Sequence, residues 1–226
     1  KLIKKNPFIF LFINLTMVKI QEEQGQQKVW DNIAKEWYEF KVKPAKHTLN
    51  FLKHKQGKIL DLGSGAGRHL VKIKKNSIIH LVDFSSKMIK LAKKRAKEKN
   101  IKAKFKVANL TKLPYQRTFF DSAIAIASFH CLNKKQHKKA AKELYRVLKP
   151  GALAEVAVWN KNSKRFKNAP KEKYVSWRDK GSRYYYLFDE KEIHNLFKKA
   201  GFKIKKAFKP ERNIIFIAQK PKARDQ

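Results

Sequence analysis

Apolar positions recur along this chain with two different periods. Between residues 26 and 41, Val29, Trp30, Ile33, Trp37 and Phe40 fall at helical spacing, and a shorter helix is predicted around 47–53. Beyond residue 58, short continuous apolar runs alternate with amphipathic stretches. The runs predict strands at 59–62, 78–84, 104–108, 121–128 and 153–159. Between them the pattern predicts a helix after Gly67, another through MIKLAKKRAKEK behind a Ser85 or Ser86 cap, and a third at 135–148, stopped by Lys149-Pro150-Gly151. A polar, lysine-rich stretch at about 160–182 reads as an insertion or loop. A helix at 189–200 capped by Gly201 and two closing strands, 203–208 and 213–219, complete the pattern.

Alternating strands and helices predict an α/β fold: a doubly wound, mostly parallel sheet, with the final two strands forming a hairpin at one edge. No internal repeat interrupts the alternation. The 226 residues suffice for one domain with a sizeable core, taken as 17–226. Residues 1–16 stand apart. They begin without Met, and their apolar run at 8–13 is too short to span a bilayer and has no small-residue cleavage site after it. Met17 reads as a natural start, with 1–16 an upstream extension or disordered leader.

Charge changes the picture more than length does. Lys and Arg number 55 against 18 Asp and Glu, a net charge of +37. That balance points to a polyanion partner, nucleic acid first, although an AT-rich genome would enrich Lys, Asn, Ile and Phe in the same way. The basic residues occur in almost every segment, so they mark no particular site. The single cysteine, Cys131, excludes a disulfide framework and a cysteine-rich metal site within the chain, which fits a cytoplasmic protein.

The chemistry is concentrated in KILDLGSGAGR, residues 58–68. A strand runs into a glycine-rich turn, and about twenty residues beyond Asp61 a second strand ends in Asp83. This arrangement binds an adenosine-containing cofactor at the carboxyl ends of parallel strands. The glycines are Gly63, Gly65 and Gly67, a G-x-G-x-G run and not the dinucleotide G-x-G-x-x-G. Asp61 at the strand end is a poor neighbour for a pyrophosphate and suits the ammonium of a methionine moiety. The turn therefore favours S-adenosylmethionine, with Asp83 accepting hydrogen bonds from the ribose hydroxyls.

With DLGSGAG, VDFS and RVLKPGALAEVAVW in place, the chain resembles the Rossmann-like S-adenosylmethionine-dependent methyltransferases over roughly residues 30–219. The resemblance implies a seven-stranded sheet with an antiparallel last strand and helices on both faces. It places Asp61, Gly63, Ser64 and Gly65 along the methionine part of the cofactor and Asp83 on the ribose. Phe84 and Met88 flank the adenine, Asn109 and Leu110 lie at its edge, and Ser128 completes the cofactor set. The family usually has Asp where Asn109 stands; the amide oxygen of Asn can still meet an amino group.

A narrower likeness rests on VWDNIAKEWYEFK, SFHCL, VAVW and VSW followed by RYYYLF. Together they are similar to the tRNA wobble-uridine methyltransferases, which esterify a carboxymethyl group on uridine. The likeness implies His130, Arg183 and Tyr185 as catalytic residues and Trp159 and Tyr184 as substrate-binding ones. Arg183 is the candidate to grip a carboxylate or phosphate, and one of Tyr185 and Tyr186 is expected in the core because neighbouring strand residues face opposite ways. The family's strand-four ending often shows paired histidines, whereas here Phe129 precedes His130. The expected partners are tRNA and a small zinc-binding activator subunit; no membrane, DNA or metal role is expected. The alternative is a small-molecule methyltransferase acting on a quinone precursor or carboxylic acid. No Asp/Asn-Pro-Pro-Tyr/Phe run follows strand four, which argues against the common amino-group methyltransferases of DNA and protein, and Cys131 lacks the preceding Pro of pyrimidine C5 chemistry.

Overall fold

A computed structural model describes residues 25–222. The expectation for residues 1–16 lies outside the described residues. In chain order the elements are α1 (Gln26–Phe40), α2 (Lys46–Lys53), β1 (Lys58–Leu62), β2 (Ile78–Asp83), α3 (Ser86–Glu98), β3 (Ala103–Val107) and β4 (Phe120–Ile126). A 3₁₀ turn at Phe129–Cys131 leads to α4 (Lys134–Val147), β5 (Leu148–Trp159), β6 (Glu172–Ser176), β7 (Ser182–Tyr186), α5 (Glu190–Lys199), β8 (Lys203–Ala207) and β9 (Asn213–Gln219).

Seven strands form one sheet in the order β3-β2-β1-β4-β5-β9-β8. Strands β3, β2, β1, β4 and β5 pair in parallel; β9 runs antiparallel between β5 and β8. The order reverses between β1 and β4, and that switch point is where open α/β sheets bind ligands. Side chains alternate across the sheet as the pleat requires. Leu60, Leu62, Ala123, Ala125, Val156 and Val158 pack with α4 and α5 on one face, through Leu144, Ile193 and Phe197. Ile59, Leu81, Ile124 and Ala157 pack with Leu52 of α2 and Ala92 and Ala96 of α3 on the other. Both faces are covered, which is why the central strands read as continuous apolar runs.

Capping explains where two helices start. The Ser85 side chain accepts from Met88 N–H at the start of α3, and Asn133 and Gln136 form a reciprocal capping box on α4.

Two predicted features are corrected. No helix follows Gly67: residues 65–69 form turns and the chain then runs irregularly to β2. Only ten residues separate Gly67 from β2, and Leu70, Val71 and Ile73 are drawn individually onto the sheet. The β-branched pair Val71 and Ile73 gives such a short segment little helical propensity to set against that pull. The second correction is at 160–182, which is not simply a loop. Its end forms β6, hydrogen-bonded in register to β7 as a hairpin. All five residues of β7 are buried. The hairpin is strapped to α1: Gln26 Oε1 accepts from Tyr184 N–H, Gln26 Nε2 donates to the Ser182 carbonyl, and Trp177 Nε1 donates to Glu36.

Candidate active site

Two cavities meet at the carboxyl ends of β1, β4 and β5. One, of about 500 Å³, is lined by Phe84, Asn109, Leu110, Ser128, Glu172, Tyr184 and their neighbours. The other, of about 310 Å³, is lined by Gly63–Ala66, Arg68, His130, Trp159, Tyr185 and Arg212 among others. Trp30, Gly63, Ala127 and Cys131 line both. An elongated ligand can therefore lie across the glycine turn with one end in each cavity.

The turn is shaped for close approach. Gly63 has φ +70°, and a Cβ there would stand 2.4 Å from the Ser128 Cβ. Gly67, at φ +74°, would bring a Cβ within 2.8 Å of Leu70. Ala127 also holds a left-handed φ of 61°, a strained conformation for a residue with a side chain, at the neck between the cavities.

Asp61 is buried and its Oδ2 has no hydrogen-bond partner. Burial raises its pKa to about 7, with Arg68 pulling it down and Asp83 pushing it up. An orphaned buried carboxylate oxygen beneath a Cβ-free turn fits the ammonium of a methionine moiety. Asp83 is differently placed. Its Oδ2 accepts from Gly65 N–H at 2.8 Å and its Oδ1 from Ser85 N–H at 3.0 Å. Each oxygen keeps a second lone pair for a ribose hydroxyl. Burial raises this carboxyl to about pH 6 against the pull of those amides.

Neither aspartate lines a cavity wall, and neither does Met88, which packs in the cluster behind Phe84. Ser64 lines the smaller cavity and Ser128, with an unpartnered buried Oγ, the larger. The amide oxygen of Asn109 already accepts two hydrogen bonds from Thr111, so its amide nitrogen is the free end.

His130, Trp159 and Tyr185 form one stack. Trp159 lies 4.2 Å from Tyr185 at 29° and 4.9 Å from His130 at 30°. His130 Nδ1 accepts from the Trp159 N–H, and burial lowers its pKa to about 3. Arg183 is not on a cavity wall. It sits behind Tyr185, donating from Nη1 to its hydroxyl at 2.8 Å, with the guanidinium 4.8 Å from the Trp177 ring and 5.3 Å from Trp37. Having accepted from Arg183, the Tyr185 hydroxyl keeps its own proton to donate. Burial also keeps that phenol protonated, raising its pKa. Tyr184 faces the other way, into the larger cavity, where it donates to Glu172. The register of β7 separates the two tyrosines that sequence placed together.

Sequence reasoning missed Lys41, His47, Arg68 and Arg212, all on the smaller cavity. Arg68 was legible, since it follows the glycine run directly. Arg212 was not: β9 brings it there by pairing Asn213 with Trp159.

A family model described as a methyltransferase domain matches residues 59–151. The "Uncharacterized methyltransferase YdaC" of Bacillus subtilis is 30% identical over 182 residues, covering 77% of this chain and 90% of that protein. The "tRNA (carboxymethyluridine(34)-5-O)-methyltransferase" of Arabidopsis thaliana is 36% identical over 102 residues, 45% of this chain but 24% of the relative's length. The ubiquinone/menaquinone biosynthesis C-methyltransferase UbiE of Rickettsia felis is 38% identical over 101 residues, 41% of this chain and 40% of that protein. Among solved structures, a SAM-dependent methyltransferase of Methanosarcina mazei aligns with a TM-score of 0.65 at 24% identity, covering 80% of this chain and all of the other. A Haloferax volcanii methyltransferase, solved in complex with the Trm112 methyltransferase activator, aligns at 0.64 with 17% identity, covering 85% of this chain and 94% of that one.

Proposed function

The chain belongs to the S-adenosylmethionine-dependent methyltransferases, and from that premise we propose that it esterifies the carboxymethyl group of a wobble uridine in tRNA. The observation that carries this reading is a pair of neutral donors, His130 and Tyr185, set in an aromatic stack on a cavity wall that bears no carboxylate.

When bound, the cofactor supplies a methyl group on a sulfonium centre. Asp61, Gly63, Ser64 and Gly65 hold its methionine part, Asp83 the ribose, and Phe84, Asn109, Leu110 and Ser128 the adenine, with Met88 behind Phe84. A carboxylate acceptor is already ionised at neutral pH and needs no general base. His130, neutral and protonated at Nε2, is built to donate a hydrogen bond to it. The Tyr185 hydroxyl is a second donor, with Arg183 positioning it. Trp159, its ring stacked with Tyr185 and Phe166, walls the pocket and presents its edge to the uracil ring. These residues orient acceptor oxygen and methyl carbon, and orientation is the main catalytic contribution available to such a displacement. Tyr184 lines the larger cavity with Phe84 and Asn109, on the adenine side and away from the acceptor stack.

The name of the Arabidopsis relative and the charge of +37 support an RNA acceptor, and a cytoplasmic setting belongs to the same reading. Among the described residues no helix is long and apolar enough to cross a membrane. An activator subunit of the kind held by the Haloferax neighbour belongs to the same reading, docking by β-augmentation along a free sheet edge.

The test is mass spectrometry of tRNA nucleosides after incubation with the protein and labelled cofactor. A methyl ester on carboxymethylated uridine is expected; its absence on tRNA from a deficient strain would sink the reading. The likeness to UbiE favours a second reading, a small-molecule acceptor, which predicts methyl transfer to a small-molecule extract that survives ribonuclease treatment.

A further inference from the structure

Charge on the smaller cavity is unbalanced. Lys41, Arg68, Arg95 and Arg212 lie on its wall together with no Asp or Glu. Arg95 is spent on the carbonyls of Tyr38 and Lys41. Among the described residues, Lys41, Arg68 and Arg212 form no ion pair. The Lys41 ammonium rests over the Phe40 ring at 4.7 Å. Burial lowers its pKa first, and then Arg68, Arg212, Arg165 and Arg183 lower it further, so these cations share one region.

Unpaired cations on a partly buried wall call for anions. The cofactor's carboxylate accounts for one, and Arg68, beside Asp61 and the glycine turn, is placed for it. Lys41 and Arg212 remain. Arg212 stands at the acceptor end: its carbonyl accepts from Asn160 N–H, and the next residue, Asn213, pairs with Trp159. Arg165 flanks the same place, its guanidinium 5.3 Å from the Trp159 ring. The carboxylate of the acceptor cannot be the lasting counter-ion, because esterification neutralises it. A group that stays anionic through the reaction is needed, and a phosphate suits three spread cations beside an aromatic face.

We propose that Arg212, Lys41 and Arg165 form a phosphate subsite, so that the acceptor is bound by a nucleotide phosphate as well as by its base. This rests on the methyl-transfer reading above and adds to it a second anchoring point.

The probes are uridine 5′-monophosphate, uridine and inorganic phosphate, titrated calorimetrically into the full chain saturated with S-adenosylhomocysteine. The monophosphate is expected to bind at least about tenfold tighter than uridine, the ratio of one charge-assisted contact. R212Q with R165Q should erase that ratio and leave S-adenosylhomocysteine affinity unchanged, which also shows that the variant is folded. Lys93 is exposed on α3, and K93Q controls for diffuse charge. Equal binding of uridine and its monophosphate overturns the subsite, as does a K93Q effect matching that of R212Q. If tRNA carries no methyl ester but the ratio depends on Arg212 and Arg165, the subsite stands and the wobble-uridine reading falls. If tRNA is esterified and the ratio is absent, the subsite alone falls.

Discussion

The backbone N–H of Trp159 donates to Nδ1 of His130 at 2.9 Å, and this fixes the imidazole proton on Nε2. A neutral ring has one N–H, and Nδ1 is accepting. Burial holds the ring neutral down to about pH 3. His130 is thereby a donor at every physiological pH and never a base.

Methyl transfer should therefore show no inflection from His130 between pH 5 and pH 9. His130→Ala is expected to lower kcat by about 10²-fold through lost orientation, with S-adenosylhomocysteine affinity retained. A rate profile on wild type that falls with an apparent pKa near 6.5 and loses that limb in the variant would contradict this.

Asp61, by contrast, should make cofactor binding pH-dependent. Its pKa is raised to about 7, so below that value the cofactor-free protein holds a proton that the unfolded chain, near 3.8, would release. The raised pKa adds stability to the cofactor-free fold as pH falls from 7 towards 3.8. An ammonium ligand needs the ionised form, so affinity should rise with pH, by about tenfold per unit below 7, and level off above it. Calorimetry at pH 6 in two buffers of different ionisation enthalpy should register proton release on binding. Identical heats would refute it.

Gly63 combines two constraints, and they can be separated. Gly63→Ala meets both a 2.4 Å approach to Ser128 Cβ and a φ of +70°. It should weaken S-adenosylhomocysteine binding and cost about 1–3 kcal/mol of stability. Adding Ser128→Gly removes the clash and leaves the backbone strain, so part of the stability should return in a denaturant titration.

How much of this was legible in the sequence follows from the range of the interactions involved. The strands were readable because both sheet faces are covered, which leaves unbroken apolar runs. The glycine turn, Asp61 and Asp83 were readable because βα turns are local. Gly67 was followed by an amphipathic segment that suggested a helix, but Leu70, Val71 and Ile73 are held individually by the sheet, a non-local preference. The segment RYYYLF, by its likeness, predicts Arg183 and Tyr184 beside the substrate. β7 instead turns Tyr184 to the larger cavity and seats Arg183 among tryptophans from α1 and the hairpin. Arg212 was invisible because only strand pairing carries it to Trp159.

Glu155 gives a test on stability alone. It is buried on β5, with Oε1 3.2 Å from His47 Nδ1 on α2 and Oε2 unpartnered. His47→Ala strands this side chain without its hydrogen-bond partner and should destabilise by about 2 kcal/mol. The double change His47→Leu with Glu155→Leu should cost far less, since apolar replacement of both partners is often near neutral. Additive losses in urea titrations would show that the pair is not coupled.

The irregular path after Gly67 has an electrical consequence. Where a helix starts at such a turn, its macrodipole presents fixed partial positive charge to an anion. This chain has no regular helix there, so that field is missing, and Arg68 stands in its place as a discrete charge on a flexible stem. A backbone dipole cannot be edited by substitution, but an arginine can. The anion preference of this turn is consequently a side-chain property, set at residue 68 and coupled there to the charge of Asp61.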